Sequence, residues 1–160
     1  GLDIVFIDNL QLMYPSETYR GQNDESKTAE ISKAIKTLAK QMNIPIVIVS
    51  QLSREPEARQ NKRPMLSDLR MSGQLEQDAD VVLSEYCPSI YYSQDKDPDY
   101  KTYGIDEQEY KQIAELGVLK NRTGEPNVVI KEYFRGNVSK FYDNFGNTVQ
   151  QNFYEKELDF

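Results

Sequence analysis

Two short apolar runs separated by a segment of helical period constrain this chain more than any other feature. Ile4-Val5-Phe6-Ile7 runs into Asp8, and Ile46-Val47-Ile48-Val49 runs into Ser50-Gln51. Short uninterrupted apolar runs rich in branched residues suit parallel strands buried on both faces. Between them, Ala29, Ile31, Ala34, Ile35, Leu38, Ala39 and Met42 supply the apolar positions, and from Ile31 onward they recur at three- and four-residue steps. Lys33, Lys36 and Lys40 fall outside that stripe. Ser26 is placed to cap the helix and Asn43 to end it, after which Pro45 opens the second strand. Strand, crossover helix and strand in this order form a βαβ unit with parallel strands and a right-handed connection. The fold class expected is α/β.

Beyond this unit the order is more mixed. Residues 52–64 are polar and rich in Arg, Gln and Pro, which predicts a loop. A short helical stretch is expected over Leu66–Arg70, broken by Gly73, and Val81-Val82-Leu83 reads as a third strand. Strands are expected at Leu116–Lys120, Val128–Phe134 and Lys140–Tyr142. The turns Asn121-Arg122-Thr123-Gly124 and Arg135-Gly136-Asn137 should join them as antiparallel hairpins. Cys87–Gln112 is crowded with tyrosine and acid and reads as a surface insertion, with a helical turn around 106–113. The organisation expected is one domain over residues 1–145 carrying the 87–112 insertion, then a polar tail over 146–160. A strand that starts almost at residue 1 predicts a piece of a longer protein, with an uncovered sheet edge that favours self-association.

Charge and residue usage narrow the chemistry. With 26 acidic against 19 basic residues the net charge is -7, so any nucleic-acid contact must rest on a few local cations. There is no histidine, which argues against a zinc site and a Ser-His triad. The single cysteine, Cys87, cannot form an internal disulfide and points to a reducing cytoplasm. No apolar run is long enough to span a bilayer.

Four groups of residues could carry function. Asp8 ends an apolar strand at the carboxyl edge of a parallel sheet, where ligands bind in open α/β folds. A carboxylate there can hold Mg²⁺ through water, although many α/β strands end in Asp for no such reason. Gln51 ends the neighbouring strand and should lie beside Asp8, where an amide that both donates and accepts could report a phosphate or merely bond local backbone. Arg70 and Gly73 share a short segment in which a guanidinium could pair a phosphate while a glycine lets backbone N–H groups come close. Lys120 and Arg122, two residues apart at a strand end, project to one face; alone they equally describe a charged hairpin end. Tyr91, Tyr92, Tyr100, Tyr103 and Tyr110 could stack on bases, but the acids around them would repel a phosphate backbone.

The long segment Arg63-Pro64-Met65-Leu66-Ser67-Asp68-Leu69-Arg70-Met71-Ser72-Gly73-Gln74-Leu75-Glu76-Gln77-Asp78-Ala79-Asp80, after Ser50-Gln51-Leu52-Ser53-Arg54, resembles the motor domain of the DnaB family of bacterial replicative DNA helicases. The resemblance is close over 2–86 and looser over 114–142. It implies the C-terminal part of a RecA-like core, a parallel sheet with crossover helices and added antiparallel strands. It further implies a homo-hexamer that uses ATP and Mg²⁺ to move on single-stranded DNA, with primase and a helicase loader as partners. In that family Asp8 helps hold Mg²⁺, Gln51 senses nucleotide, Arg70 and Gly73 grip DNA, and Lys120 with Arg122 reach the ATP of the neighbouring subunit. Asn9 replaces the family's usual tyrosine, and Met71 stands where a glutamate is usual. Thr123-Gly124-Glu125-Pro126-Asn127 departs from the usual Asn-Gly-Pro-Thr-Gly. No Gly-x-x-x-x-Gly-Lys-Ser/Thr loop occurs in these 160 residues, so tight ATP binding by them alone is not expected. A RecA-like repair ATPase resembling RadA, or a non-enzymatic binding module using the Tyr-rich segment, are the rival readings.

Overall fold

A computed structural model describes residues 1–14, 23–69, 73–93, 96–97 and 99–142. The described residues fall into two compact units, one within Gly1–Val82 and Leu119–Pro126, the other within Leu83–Val118 and Asn127–Phe160.

In the first unit, β1 (Val5–Ile7) pairs parallel with β2 (Ile46–Ile48) in the register Val5 to Ile46 and Ile7 to Ile48. The connection is α1 (Asp24–Met42). Its cap is Asn23 rather than Ser26: the Asn23 side chain accepts from the Ser26 N–H at 2.9 Å. The capping oxygen must precede the first helical residue and reach the third N–H, and Ser26 is the residue that supplies that N–H. Asp24 and Glu25 then place negative charge in the first turn. Asn43 ends the helix in the left-handed conformation, φ 52°, which asparagine tolerates better than most residues.

Ile31 and Ile35 from α1 pack with Leu10 and Leu75, and Ile7, Ile46, Ile48 and Leu69 lie against this core. Each fully buried side chain of this kind contributes about 1.5–3 kcal/mol. Burial of both strand faces is not what the structure has. Phe6 is 71% exposed and its cross-strand partner Val47 43%, because the strands alternate and only one face meets this core.

The expected loop over 52–64 contains a short helix, α2 (Glu55–Ala58), with Pro56 in the first turn, where its missing N–H costs nothing. The stretch expected as a helix broken by Gly73 is instead a 3₁₀ turn (Leu66–Asp68), after which Leu69 is extended. Gly73 lies in a helix, α3 (Gly73–Asp78), rather than breaking one. Among the described residues no helix is long and apolar enough to cross a membrane.

A four-stranded sheet has the order β3 (Val81–Tyr86), β4 (Ile113–Asn121), β5 (Val128–Arg135) and β6 (Lys140–Tyr142). The expected hairpins are present: β4 and β5 are antiparallel from Ile113–Tyr133 to Val118–Val128, and β5 and β6 from Tyr133–Tyr142 to Arg135–Lys140. Asn121 shapes the first turn by accepting from the N–H groups of Thr123 and Gly124 at 3.3 and 3.0 Å.

In the second unit the Tyr-rich segment is not a solvated excursion. It carries α4 (Pro88–Tyr91), α5 (Tyr100–Tyr103) and α6 (Glu107–Tyr110), and Tyr103, Tyr110 and Ile113 form a core with Tyr100, Ile105 and Tyr133 against them. The tyrosines can be buried because their hydroxyls find carboxylates. Tyr110 donates to Asp97 and Tyr103 to Glu115, both at 2.8 Å, and Tyr133 donates to Glu109 at 2.5 Å.

Candidate functional site

Parallel pairing decides where Asp8 and Gln51 go. Beyond the strands the ladder continues, with the Val49 N–H donating to Ile7 O at 2.9 Å and the Leu10 N–H to Val49 O at 3.0 Å. Asp8 is therefore level with Val49, and Gln51 lies two residues further along the same end. Both are exposed, and Gln11 Nε2 donates to Ser50 Oγ across the gap at 3.2 Å. The two residues expected to share the carboxyl edge do share it.

Lys120 and Arg122 are held by the end of α3. Lys120 Nζ donates to Glu76 O at 2.5 Å, and Arg122 donates one guanidinium nitrogen to Gln77 O at 2.7 Å. Last-turn carbonyls have no partner within a helix, and they carry the negative end of its dipole, so two cations are well matched there. The other guanidinium nitrogen reaches Asp80 Oδ1 at 3.1 Å, and the Arg122 N–H donates to Asp80 O at 2.8 Å. Lys36 from α1 takes the second Asp80 oxygen at 2.5 Å. That bond holds the Asp80 carboxyl below the usual carboxylate range, with the nearby charges of Lys36, Arg122 and Lys120 adding to it against partial desolvation.

Gly73 stands at the opposite end of the same six-residue helix from these carbonyls. The helix is tied to α1 through Asp78, which accepts from Ser32 Oγ at 2.7 Å and Gln74 Nε2 at 2.8 Å. Arg70, expected to act with Gly73, lies outside the described residues.

Several participants escaped the sequence reading. Asp68 and Asp80 both sit in the long motif, but only the structure supplies their partners. Asp68 is fully buried and takes a bidentate bond from Arg59, at 2.8 and 2.6 Å, as well as the Met65 N–H at 2.7 Å. Against the large desolvation, two Arg59 bonds and the Met65 bond leave the Asp68 carboxyl below its ordinary range. The spacing of nine residues between Arg59 and Asp68 matches no local period, so no sequence signal marks the pair.

The model of the DnaB-like helicase C-terminal domain matches residues 1–143. The chain belongs to that family. It is 40% identical over 137 residues to the replicative DNA helicase DnaB of Geobacillus stearothermophilus, a match covering 83% of this chain and 27% of that protein. It is 45% identical over 124 residues to a probable plasmid replicative DNA helicase of Chlamydia psittaci, covering 78% of this chain and 24% of that protein. Among solved structures, a DnaB-like replicative helicase, described with its interactions with primase, superposes with a TM-score of 0.67 at 36% identity, covering 86% of this chain and 30% of that one. A solved ATPase domain superposes at 0.69 and 34% identity, covering 89% of this chain and 44% of that one. The chain thus spans about a quarter of the length of these two curated relatives. The neighbours have the RecA-like α/β fold that the resemblance implied.

Proposed function

We propose that this chain is part of a hexameric, ATP-driven replicative DNA helicase that moves on single-stranded DNA in the cytoplasm and unwinds duplex at the fork. The observation that carries this reading is the shared carboxyl edge of Asp8 and Gln51 in a member of the DnaB-like family.

The roles follow from chemistry at each position. Asp8 carries no ion pair among the described residues, and a lone exposed carboxylate is a residue that would help hold a magnesium ion. Such an ion would supply neutralisation of phosphate charge during ATP hydrolysis. Gln51, on the same edge, can donate to a γ-phosphate oxygen and lose that bond when phosphate leaves. Lys120 and Arg122 would act on the ATP of the adjacent subunit, stabilising the charge that spreads over the γ-phosphoryl oxygens as water attacks and ADP departs. Arg70 and Gly73 would hold the DNA backbone without reading sequence. A primase and a helicase loader are the expected protein partners. The P-loop that cradles the triphosphate would come from residues other than these 160.

The test is DNA-stimulated ATPase and fork unwinding by the full-length protein, wild type against Arg122→Ala. Loss of both activities with nucleotide binding retained is expected, and a trans-acting arginine is worth roughly 10³–10⁵ in rate. A mutant that unwinds normally would make Lys120 and Arg122 a charged hairpin end. A wild type that hydrolyses ATP and never opens a fork would return the reading to a repair ATPase.

A further inference from the structure

Asp80 joins three parts of the first unit that the sequence keeps far apart. One carboxylate oxygen accepts from Arg122 at 3.1 Å and the other from Lys36 of α1 at 2.5 Å, while the Asp80 carbonyl accepts the backbone N–H of Arg122 at 2.8 Å. Backbone and side chain of Arg122 are thus fastened to one residue. Gln77 O adds a further point, 2.7 Å from the second terminal nitrogen. One such bond would let the guanidinium pivot; two, to different nitrogens, fix its plane. A guanidinium has five N–H donors. Two are engaged here, the rest carry no hydrogen bond among the described residues, and the side chain is half-exposed. Arg122 is held and still able to donate.

Stability does not explain this arrangement, because an ion pair so exposed contributes little to folding. What it provides is orientation of a long side chain that would otherwise sample many rotamers. We propose that Asp80 is a positioning residue for Arg122, with Lys36 holding the carboxylate by its second oxygen, so that the unengaged guanidinium donors meet the γ-phosphoryl group of a neighbouring subunit's ATP already oriented. This rests on the role proposed for Arg122 and adds the group that sets its geometry. Donors in place before charge develops need no reorganisation as it does. Asp80 itself touches neither nucleotide nor DNA.

The experiment uses the full-length protein with saturating oligo(dT) and compares Asp80→Asn, Arg122→Ala, the two combined, and Asp78→Asn. Asparagine keeps the shape of Asp80, but its amide can accept from one cation only and turns N–H donors toward the other. Asp78→Asn removes the same charge at the same end of α3 from a residue whose partners are Ser32 and Gln74. For Asp80→Asn the expected result is a kcat for ATP hydrolysis lower by roughly ten- to hundredfold, the size of a misplaced catalytic group, with KM and ADP affinity unchanged. Affinity for ADP with aluminium fluoride, a mimic of the γ-phosphoryl group in transfer, should fall by the same factor. In the Arg122→Ala background Asp80→Asn should weaken that affinity no further, and Asp78→Asn should match the wild type. A normal kcat in Asp80→Asn, an equal loss in Asp78→Asn, or a loss that adds to that of Arg122→Ala overturns the inference. Arg122→Ala separates the two failures. If it hydrolyses ATP like the wild type, the role of Arg122 fails and takes that of Asp80 with it; if it is inactive while Asp80→Asn is normal, only the positioning by Asp80 fails.

Discussion

Asp80 carries two cations on one exposed carboxylate, Lys36 on one oxygen and Arg122 on the other. Its folded pKa is depressed, chiefly by the Lys36 bond, so the stability it adds is present above the unfolded value near about 3.9 and lost as pH falls through the lower folded value. Asp80→Asn should therefore destabilise by less than about 1 kcal/mol at neutral pH, the usual worth of an exposed pair. In acid below the folded value it should have no effect. Urea unfolding at the two pH values measures both. Glu85 is the opposite case. Glu85 is exposed on β3, yet neighbouring side chains partly desolvate its carboxyl and the charge of Glu132 lies nearby, which together raise it to about 7. A raised acid contributes fully below its unfolded value and loses that contribution as pH rises through about 7. Glu85→Gln should raise the melting temperature at pH 8 and leave it unchanged at pH 4, and equal shifts at both would disprove the desolvation account.

At the scale of elements, the Tyr-rich segment belongs to a core. Tyr110 is 1% exposed and donates to Asp97, itself 8% exposed. Tyr110→Phe removes a hydrogen bond to a charged acceptor and leaves a buried carboxylate short of a partner, a loss of roughly 1.5–3 kcal/mol. Thermal denaturation should register it, whereas a solvated loop would lose nothing measurable. Composition conceals this for a physical reason. Tyrosine beside acid looks water-seeking in composition, yet each hydroxyl becomes compatible with burial once a carboxylate accepts from it, as Glu115 and Asp97 do. By contrast α1 was legible almost to its ends, because the period of Ile31, Ile35 and Leu38 is local information. The cap was displaced from Ser26 to Asn23 because both residues can cap and only the register of the first turn separates them.

For these 160 residues as a whole, the net charge of -7 means that the DNA contact proposed above rests on local cations, Arg70 among them, rather than on a basic surface. Arg70→Ala should reduce the logarithmic salt slope of single-strand binding by the full-length protein by about 0.7 for every phosphate no longer neutralised, with equal effect on all sequences. A slope unchanged by the substitution would remove Arg70 from the DNA interface.

The sequence by itself determined the βαβ unit, the hairpins that follow it and the family. It also brought Asp8 and Gln51 to one edge, because parallel strands put their carboxyl ends together whatever else the chain does. Only the tertiary structure decided that Gly73 belongs to α3 and that this helix ends on carbonyls that hold Lys120 and Arg122. It alone joined Arg59 to Asp68 and folded the tyrosines inward. Those partners lie up to 45 residues apart. Periodicity and turn chemistry act over a few residues; a pairing across that distance is selected by which charges and hydroxyls packing leaves to satisfy one another.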